Sequence, residues 1–389
     1  MNAETFRNHL CNQLIPFWNH MQDNVNGGFY GYADSDGTVD AKSAKGCILN
    51  SRILWFYSAS YNLLKDTALL EKAEHAFLFL QEYFYDSRYQ GVFWSVEADG
   101  SPLDTTKHTY NHAFAIYALS EYYKASHCKE ALNIAYSLYH TVEDKCRDED
   151  GYFEAFNREF YPASNEKLSE NGVNASRTMN TLLHLLEAYT ELYRADGFYM
   201  VADSIREILR IFKSRVFNVD KKCCEVFFDK EYHSLISLES YGHDIEASWL
   251  IARACEVLDD KGYYAEMLPV IEELATGAYA NGMDAMNHAM NNECENGAVN
   301  SKKIWWVQAE AVTGFYNAYQ LQPDREPFKN TSEQVWEYIQ KHVIDEKTGE
   351  WIENISSDNS VEEGQALAHE WKCPYHNGRM CIEMINRLS

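Results

Sequence analysis

The sequence predicts an all-α fold, a ring of six helix pairs or (α/α)6 barrel with short β-hairpins in its loops, on three observations. Apolar residues recur at helical period over runs too long for strands, as in Leu49, Ile53, Phe56, Tyr57 and in Leu182, Leu185, Leu186, Tyr189. Between such runs a glycine or tight-turn residue is followed by aromatics, at Gly27-Gly28-Phe29-Tyr30, Gly91-Val92-Phe93-Trp94, Gly151-Tyr152-Phe153, Cys224-Glu225-Val226-Phe227-Phe228 and Gly349-Glu350-Trp351. The first three lie about sixty residues apart, the mark of a repeated supersecondary unit. Polar side chains also fall near the start of every second helix, once per pair.

Taken in order, the periodicity predicts twelve helices near residues 4–20, 46–64, 68–85, 108–126, 129–145, 174–194, 198–215, 243–258, 262–277, 304–320, 330–343 and 374–387. Six pairs make an open solenoid or a closed toroid, and the polar end segments expected of solenoid caps are not evident, which favours closure. A chain of 389 residues has room for two or three average domains or one large barrel. The long polar stretches 280–303 and 345–370 lack a linker composition, so the expectation is a single catalytic domain, 1–389. Loops of that length in a compact domain are often lids or site-forming segments.

The balance of 34 basic against 59 acidic residues, −25, repels phosphate backbones and anionic lipid, so neither nucleic acid nor membrane is an expected partner. Met1 to Met21 mixes Glu4, Arg7, His9, Asn12 and Gln13 among its apolar residues, with no h-region and no membrane-length span. Ten scattered cysteines without CxxC or zinc spacing read as free thiols, Cys223 and Cys224 as packing or surface residues. A cytoplasmic protein, expected to be a monomer, is the reading.

The polar positions are Arg52; His108, Tyr110 and Asn111; Asn180 and His184; His243 and Glu246; Trp305, Trp306, Gln308 and Glu310; and His376 and Arg379. The anchors 52, 108, 180, 243, 306 and 376 are spaced to fall at one end of an inner ring of helices and face one pocket. Each has a plainer reading: His184 among leucines as a core histidine, His243 and Glu246 as helix-start residues, Glu187 and Glu191 as a solvated face, Arg379 as an ion-pair partner. The Trp pair, followed by Gln308 and Glu310, suits a sugar platform with hydrogen-bonding neighbours. His108 and His112, at i and i+4, and His243 with Glu246 lack a third local ligand, and no nucleotide loop is present, so no metal and no cofactor are expected.

The acid–base residues of this set are imidazoles, whereas glycosidic cleavage calls for facing carboxyl groups. Imidazole suits taking and returning a proton at neutral pH on a carbon beside a carbonyl. Two histidines on opposite faces of an open-chain sugar would epimerise it. Arg52, Asn180 and Tyr110 suit the charge of the enediolate.

The segments Tyr241-Gly-His-Asp-Ile-Glu-Ala-Ser-Trp249, Trp305-Trp-Val-Gln-Ala-Glu-Ala311 and Glu370-Trp-Lys-Cys-Pro-Tyr-His-Asn-Gly-Arg379 resemble three signatures of the N-acylglucosamine 2-epimerase family. His108-Thr-Tyr-Asn111, Asn50-Ser-Arg-Ile-Leu-Trp55 and Ile15-Pro-Phe-Trp18 with Gly27-Gly-Phe-Tyr-Gly31 resemble its cellobiose-epimerising branch, so the likeness runs nearly end to end. The resemblance implies an (α/α)6 barrel with His243 and His376 as the acid–base pair. It further implies Arg52, Tyr110, Asn180 and His184 around the sugar, Glu246 and Glu310 in support, and Trp305, Trp306 and Trp371 for stacking, with Trp249 family-like or core. The implied substrates are β-1,4 disaccharides such as cellobiose and lactose, epimerised at the reducing-end glucose to mannose. His112 departs from the glutamine expected there. An aldose–ketose isomerase or a monosaccharide or N-acylglucosamine 2-epimerase would share the fold, and a toroid that only binds a partner protein would use the same residues as a recognition surface.

Overall fold

The computed structural model describes residues 1–168, 171–322 and 324–389. The predicted helices all form: α1 (3–20), α2 (Cys47–Leu64), α3 (67–84), α4 (Thr109–Ser126), α5 (Lys129–Lys145), α6 (Met179–Asp196), α7 (199–216), α8 (Tyr241–Leu258), α9 (261–282), α10 (Trp305–Leu321), α11 (326–343) and α12 (His376–Leu388). The even-numbered helices touch one another in order, and α12 returns to α2, so the ring closes. Each odd-numbered helix packs outside its even-numbered neighbour, α1 outside α12. The N-terminal helix thus completes the last pair.

Burial separates the two layers. From Cys47 to Ser60 every residue of α2 is buried, as an inner helix surrounded by protein requires, whereas α7 buries one stripe including Val201, Ile205, Ile208 and Leu209. Helix α6 begins at Met179 rather than near 174. Arg177–Thr178 instead forms a short strand against Phe227–Phe228, and Thr178 caps the helix by accepting from the Thr181 N–H at 3.0 Å.

The turn repeat has six members. Each outer helix is followed by a bridge back onto the segment entering the next inner helix, as at Tyr85 with Val92 and Ile344 with Trp351. Two members lack glycine, those ending at Cys224 and Met290, where Lys222 and His288 take the positive φ of 58° and 61°. At Gly91 (φ +78°) a Cβ would sit 2.3 Å from His112 Nε2, so no larger residue fits.

Ion pairs made by buried bases pin the entry to four inner helices. Lys45–Asp23 (2.8 Å), Lys107–Asp86 (3.1 Å), Arg177–Asp148 (2.7 Å) and Lys303–Asp284 (2.9 Å) each join a base two residues before an inner helix to an acid in the preceding turn. Lys372 pairs instead with Glu350 at 2.8 Å, ahead of α12. These pairs fix where each inner helix begins, and removing one partner would strand a buried charge.

The opposite, C-terminal ends of the inner helices are tied by polar side chains. Asn62 of α2 donates to Glu121 of α4 (2.7 Å), and Lys124 pairs with Glu121 and with Glu191 of α6. Arg253 of α8 pairs with Glu383 of α12 (2.6 Å), and Arg387 donates to Asn317 of α10 (3.0 Å). Glu191, read from the sequence as solvated, is buried between Lys124 and Arg194. Cys223 and Cys224 are packing residues, both buried, and all ten cysteines are free.

Candidate active site

The N-terminal ends of the inner helices surround a cavity of about 320 Å³, within the range of small-molecule sites. Arg52, Tyr110, Asn180, His184, His243, Glu246, Trp305, Trp306, Trp371 and His376 all line it. Glu310 lies just behind, accepting a hydrogen bond from His376 Nδ1 at 2.7 Å. The sequence-predicted residues are therefore brought together from six helices and one loop.

Three expectations change. His108 does not reach the cavity: it bonds Asn165 (2.9 Å) and packs on Trp94, and Tyr110 is the contribution of α4. Asn111 likewise turns away to donate to the Phe93 carbonyl at 2.9 Å. Gln308 is not a sugar contact. Its amide is buried, accepting from Met290 N–H (2.9 Å) and donating to the Met290 carbonyl (2.8 Å). His112 fills the same slot on α4, accepting from Val92 N–H (3.3 Å) and bonding the His108 carbonyl through Nδ1 (2.6 Å). That accounts for an imidazole where glutamine was expected.

Of the three cavity histidines, His243 and His376 differ in their support. His376 is held through Nδ1 by Glu310, whose other oxygen accepts from Trp249 Nε1 at 3.0 Å. His243 shares a 2.7 Å hydrogen bond between Nδ1 and Ser240 Oγ. The Trp306 ring packs 4.7 Å from His243 and 5.4 Å from His376, between the two. Gly242 permits that approach, since a Cβ there would meet Trp306 at 2.7 Å. Burial holds His243 down to about 3, with nearby His184 acting the same way and Glu310 opposing. Burial, then Arg379 and Arg52, puts His376 well below the ordinary imidazole range. Both shifts favour the neutral ring, the form a base needs.

Behind them Arg379 gathers three carboxylates, bonding Glu187, Glu246 and, at 2.8 Å, Glu310. Glu187, expected on a solvated face, is buried and also bonds Tyr375 and His184 Nδ1, the latter at 3.1 Å. Burial works against its charge, but Arg379 and the His184 bond bring it down to about 2. Glu246 is pushed up to about 8 by burial and by Glu310, since one guanidinium does not neutralise three acids. Burial also raises Glu310, yet its oxygens already accept N–H groups from Trp249 and Arg379, so toward His376 it is an acceptor. Ligand atoms of Glu246, Glu310 and His376 lie within 4.8 Å of one another, the spacing of a metal site, but the Arg379 guanidinium bonds both carboxylates. The cation of that cluster is the protein's own.

Arg52 lies over the Phe114 ring (4.0 Å) and donates to Tyr110 Oη at 2.9 Å, while Nε has no partner. Asn180 Oδ1 and Glu246 Oε2 are equally unpaired. These are three buried, unpaired polar atoms on residues that line one cavity. Both long polar stretches form its wall, through Asn292 and Glu293 from one and Glu353 and Asn354 from the other.

The N-acylglucosamine 2-epimerase (GlcNAc 2-epimerase) family model matches residues 28–377. The chain belongs to that family. It is 46% identical over 402 residues to a cellobiose 2-epimerase of Eubacterium cellulosolvens, covering 99% of this chain and 98% of that one. Among solved structures, a sugar epimerase from a ruminal bacterium superposes with a TM-score of 0.97 at 44% identity, covering 99% of this chain and 98% of the other. The cellobiose 2-epimerase of Bacillus thermoamylovorans B4167 superposes with a TM-score of 0.94 at 41% identity, covering 99% of each chain. Within this family member, sequence reasoning missed Ser240 and Tyr375. Each is adjacent to a quoted motif, at Tyr241 and inside Glu370–Arg379, but neither has a chemistry that marks it alone.

Proposed function

We propose that this chain is a cellobiose 2-epimerase, interconverting glucose and mannose at the reducing end of cellobiose, lactose and related β-1,4 disaccharides. The observation that carries the reading is the pair of histidines from α8 and α12 lining one cavity on either side of Trp306. After ring opening, C2 lies beside the C1 carbonyl. One imidazole takes the C2 proton, and the electron pair forms the C1–C2 double bond of an enediolate. The oxygen charge is held by Arg52 and by the Asn180 amide. The other ring enters as an imidazolium, gives its Nε2 proton to the opposite face of C2, and is left neutral while the first ring holds the proton it took, so the configuration inverts and one proton stays shared between the two histidines.

The supporting parts have defined tasks. Glu310 accepts Nδ1–H of His376, which leaves Nε2 of that ring as the base and stabilises the imidazolium formed there. Glu246, raised toward neutrality, can donate from its unpaired oxygen to a sugar hydroxyl. Trp305, Trp306 and Trp371 offer apolar faces for the sugar rings, and His184 with Tyr110 closes the floor. The proposal includes one catalytic domain spanning 1–389, acting without a cofactor as a cytoplasmic monomer. Ten free cysteines fit a reducing compartment, and no helix among the described residues is long and apolar enough to cross a membrane.

The test is proton NMR of cellobiose incubated with the protein in deuterated water, with no metal or nucleotide added. Reducing-end mannose carrying deuterium at C2 is expected. Unchanged cellobiose alongside reacting fructose, mannose or N-acetylglucosamine would remove the disaccharide assignment.

A further inference from the structure

His243 and His376 need different things from their neighbours, and of these two only His376 has a carboxylate on Nδ1. His376 Nδ1 faces Glu310, which stabilises added positive charge. His243 Nδ1 faces the neutral hydroxyl of Ser240 at 2.7 Å. Ser240 itself is fixed: it ends the strand Leu238–Ser240, paired in register with Glu293, and that strand is joined through Glu293–Glu295 to Ala298–Asn300. The hairpin comes from the long stretch 280–303, and Asn171 ties it down by donating to Glu295 at 3.0 Å.

We propose that Ser240 is a positioning residue that holds His243 in the tautomer with its proton on Nδ1, so that Nε2 meets C2 as a base. This rests on the epimerase reading above. In the base role, neutral His243 donates Nδ1–H to Ser240 Oγ and takes the C2 proton on Nε2, while the C2–H electron pair becomes the enediolate double bond. In the acid role, the imidazolium keeps the same Nδ1–H bond and gives the Nε2 proton to C2, whose new C–H bond takes that pair back. Ser240 accepts in both, so no heavy atom moves between the two halves of the reaction. Without it, a free imidazole divides between tautomers, and the form with Nε2–H has no lone pair toward the substrate.

The consequence is one-sided. Each histidine starts the reaction from one of the two epimers, so loss of Ser240 should damage one starting direction and spare the other. The experiment follows C2–H exchange with deuterated water for cellobiose and for its mannose-ended epimer, separately, at early times. Wild type, S240A and S240T are compared, with folding checked by circular dichroism. In S240A, exchange initiated from one epimer should fall about tenfold, the order expected for one lost hydrogen bond, while recovery of deuterated starting sugar from the other persists. S240T keeps the hydroxyl and should restore the balance. Equal losses for both epimers, or no loss, would overturn the role of Ser240 while wild-type turnover left the epimerase reading standing; wild type without turnover would sink that reading instead. Should S240A not fold, histidine 15N NMR of the wild-type chain decides: a protonated Nδ1 and bare Nε2 on His243 are expected, and the reverse tautomer refutes the assignment.

Discussion

The two ends of the inner ring are built from the same six helices and do opposite things with polar side chains. At the N-terminal ends, His243 and His376 have one fixed Nδ1 partner each, and Arg52, Asn180 and Glu246 keep unpaired atoms on residues that line a cavity. At the C-terminal ends, Glu121, Glu191 and Glu383 are matched by Lys124, Arg194, Arg253 and Arg387. Helix dipoles explain the placement. Six N-termini favour neutral imidazole and a developing oxyanion, while six C-termini favour extra cations. One end surrounds a cavity; at the other, charge is matched to charge.

If that division holds, the largest effect belongs to the cavity histidines. His243→Asn and His376→Asn should each lower turnover by about 10⁴, the upper range for a lost acid–base group, with an unchanged melting temperature. A matching loss of stability would mean the rings are core rather than chemistry. Arg379 stands between the two ends, and Arg379→Met should cost about 3–5 kcal/mol in urea unfolding, because Glu187, Glu246 and Glu310 would lose their shared cation. Its kcat should fall as well, since Glu310 carries His376. Separation of these two losses would show that the carboxylate cluster is not what orients the base.

How much of this could be read in the sequence differs between the ends. The fold was legible because helical period and a sixty-residue turn repeat are local signals. The cavity was legible because its residues recur once per pair. What failed was the assumption that a helix has a wet side. Glu187 and Glu191 sit at i and i+4, the pattern of a solvated face, but α6 is an inner helix buried almost all round, so both acids found cations inside. His108 and Tyr110 are two positions apart, roughly 200° around a helix, and periodicity alone did not choose between them. Gln308 looked like a ligand contact because its backbone partner, Met290, lies in one of the two turns of the repeat that lack a glycine.

The far end supplies the next smaller effect. Lys124→Met removes a cation shared by Glu121 and Glu191, of which Glu191 keeps Arg194. A loss of about 1–3 kcal/mol with unchanged kcat/KM is expected from urea unfolding and cellobiose assays, the cation being partly open to solvent. An altered kcat/KM would show that the ends are coupled through the ring.

The smallest effect at neutral pH lies at His112, behind the cavity wall. His112→Gln should change stability by less than about 1 kcal/mol at pH 7, because glutamine already makes the equivalent bonds at Gln308. Acid separates the two proteins. Burial holds His112 down to about 3, so between pH 6.5 and that value the unfolded chain binds a proton that the folded chain refuses, and stability falls as pH falls. At pH 5 this one group costs the wild type about 2 kcal/mol. The other buried histidines contribute equally to both proteins, so the gap between their unfolding curves isolates His112. Stability curves that run parallel from pH 7 to 5 would show that the imidazole is not kept neutral there, and that its slot is not the equivalent of the glutamine slot on α10.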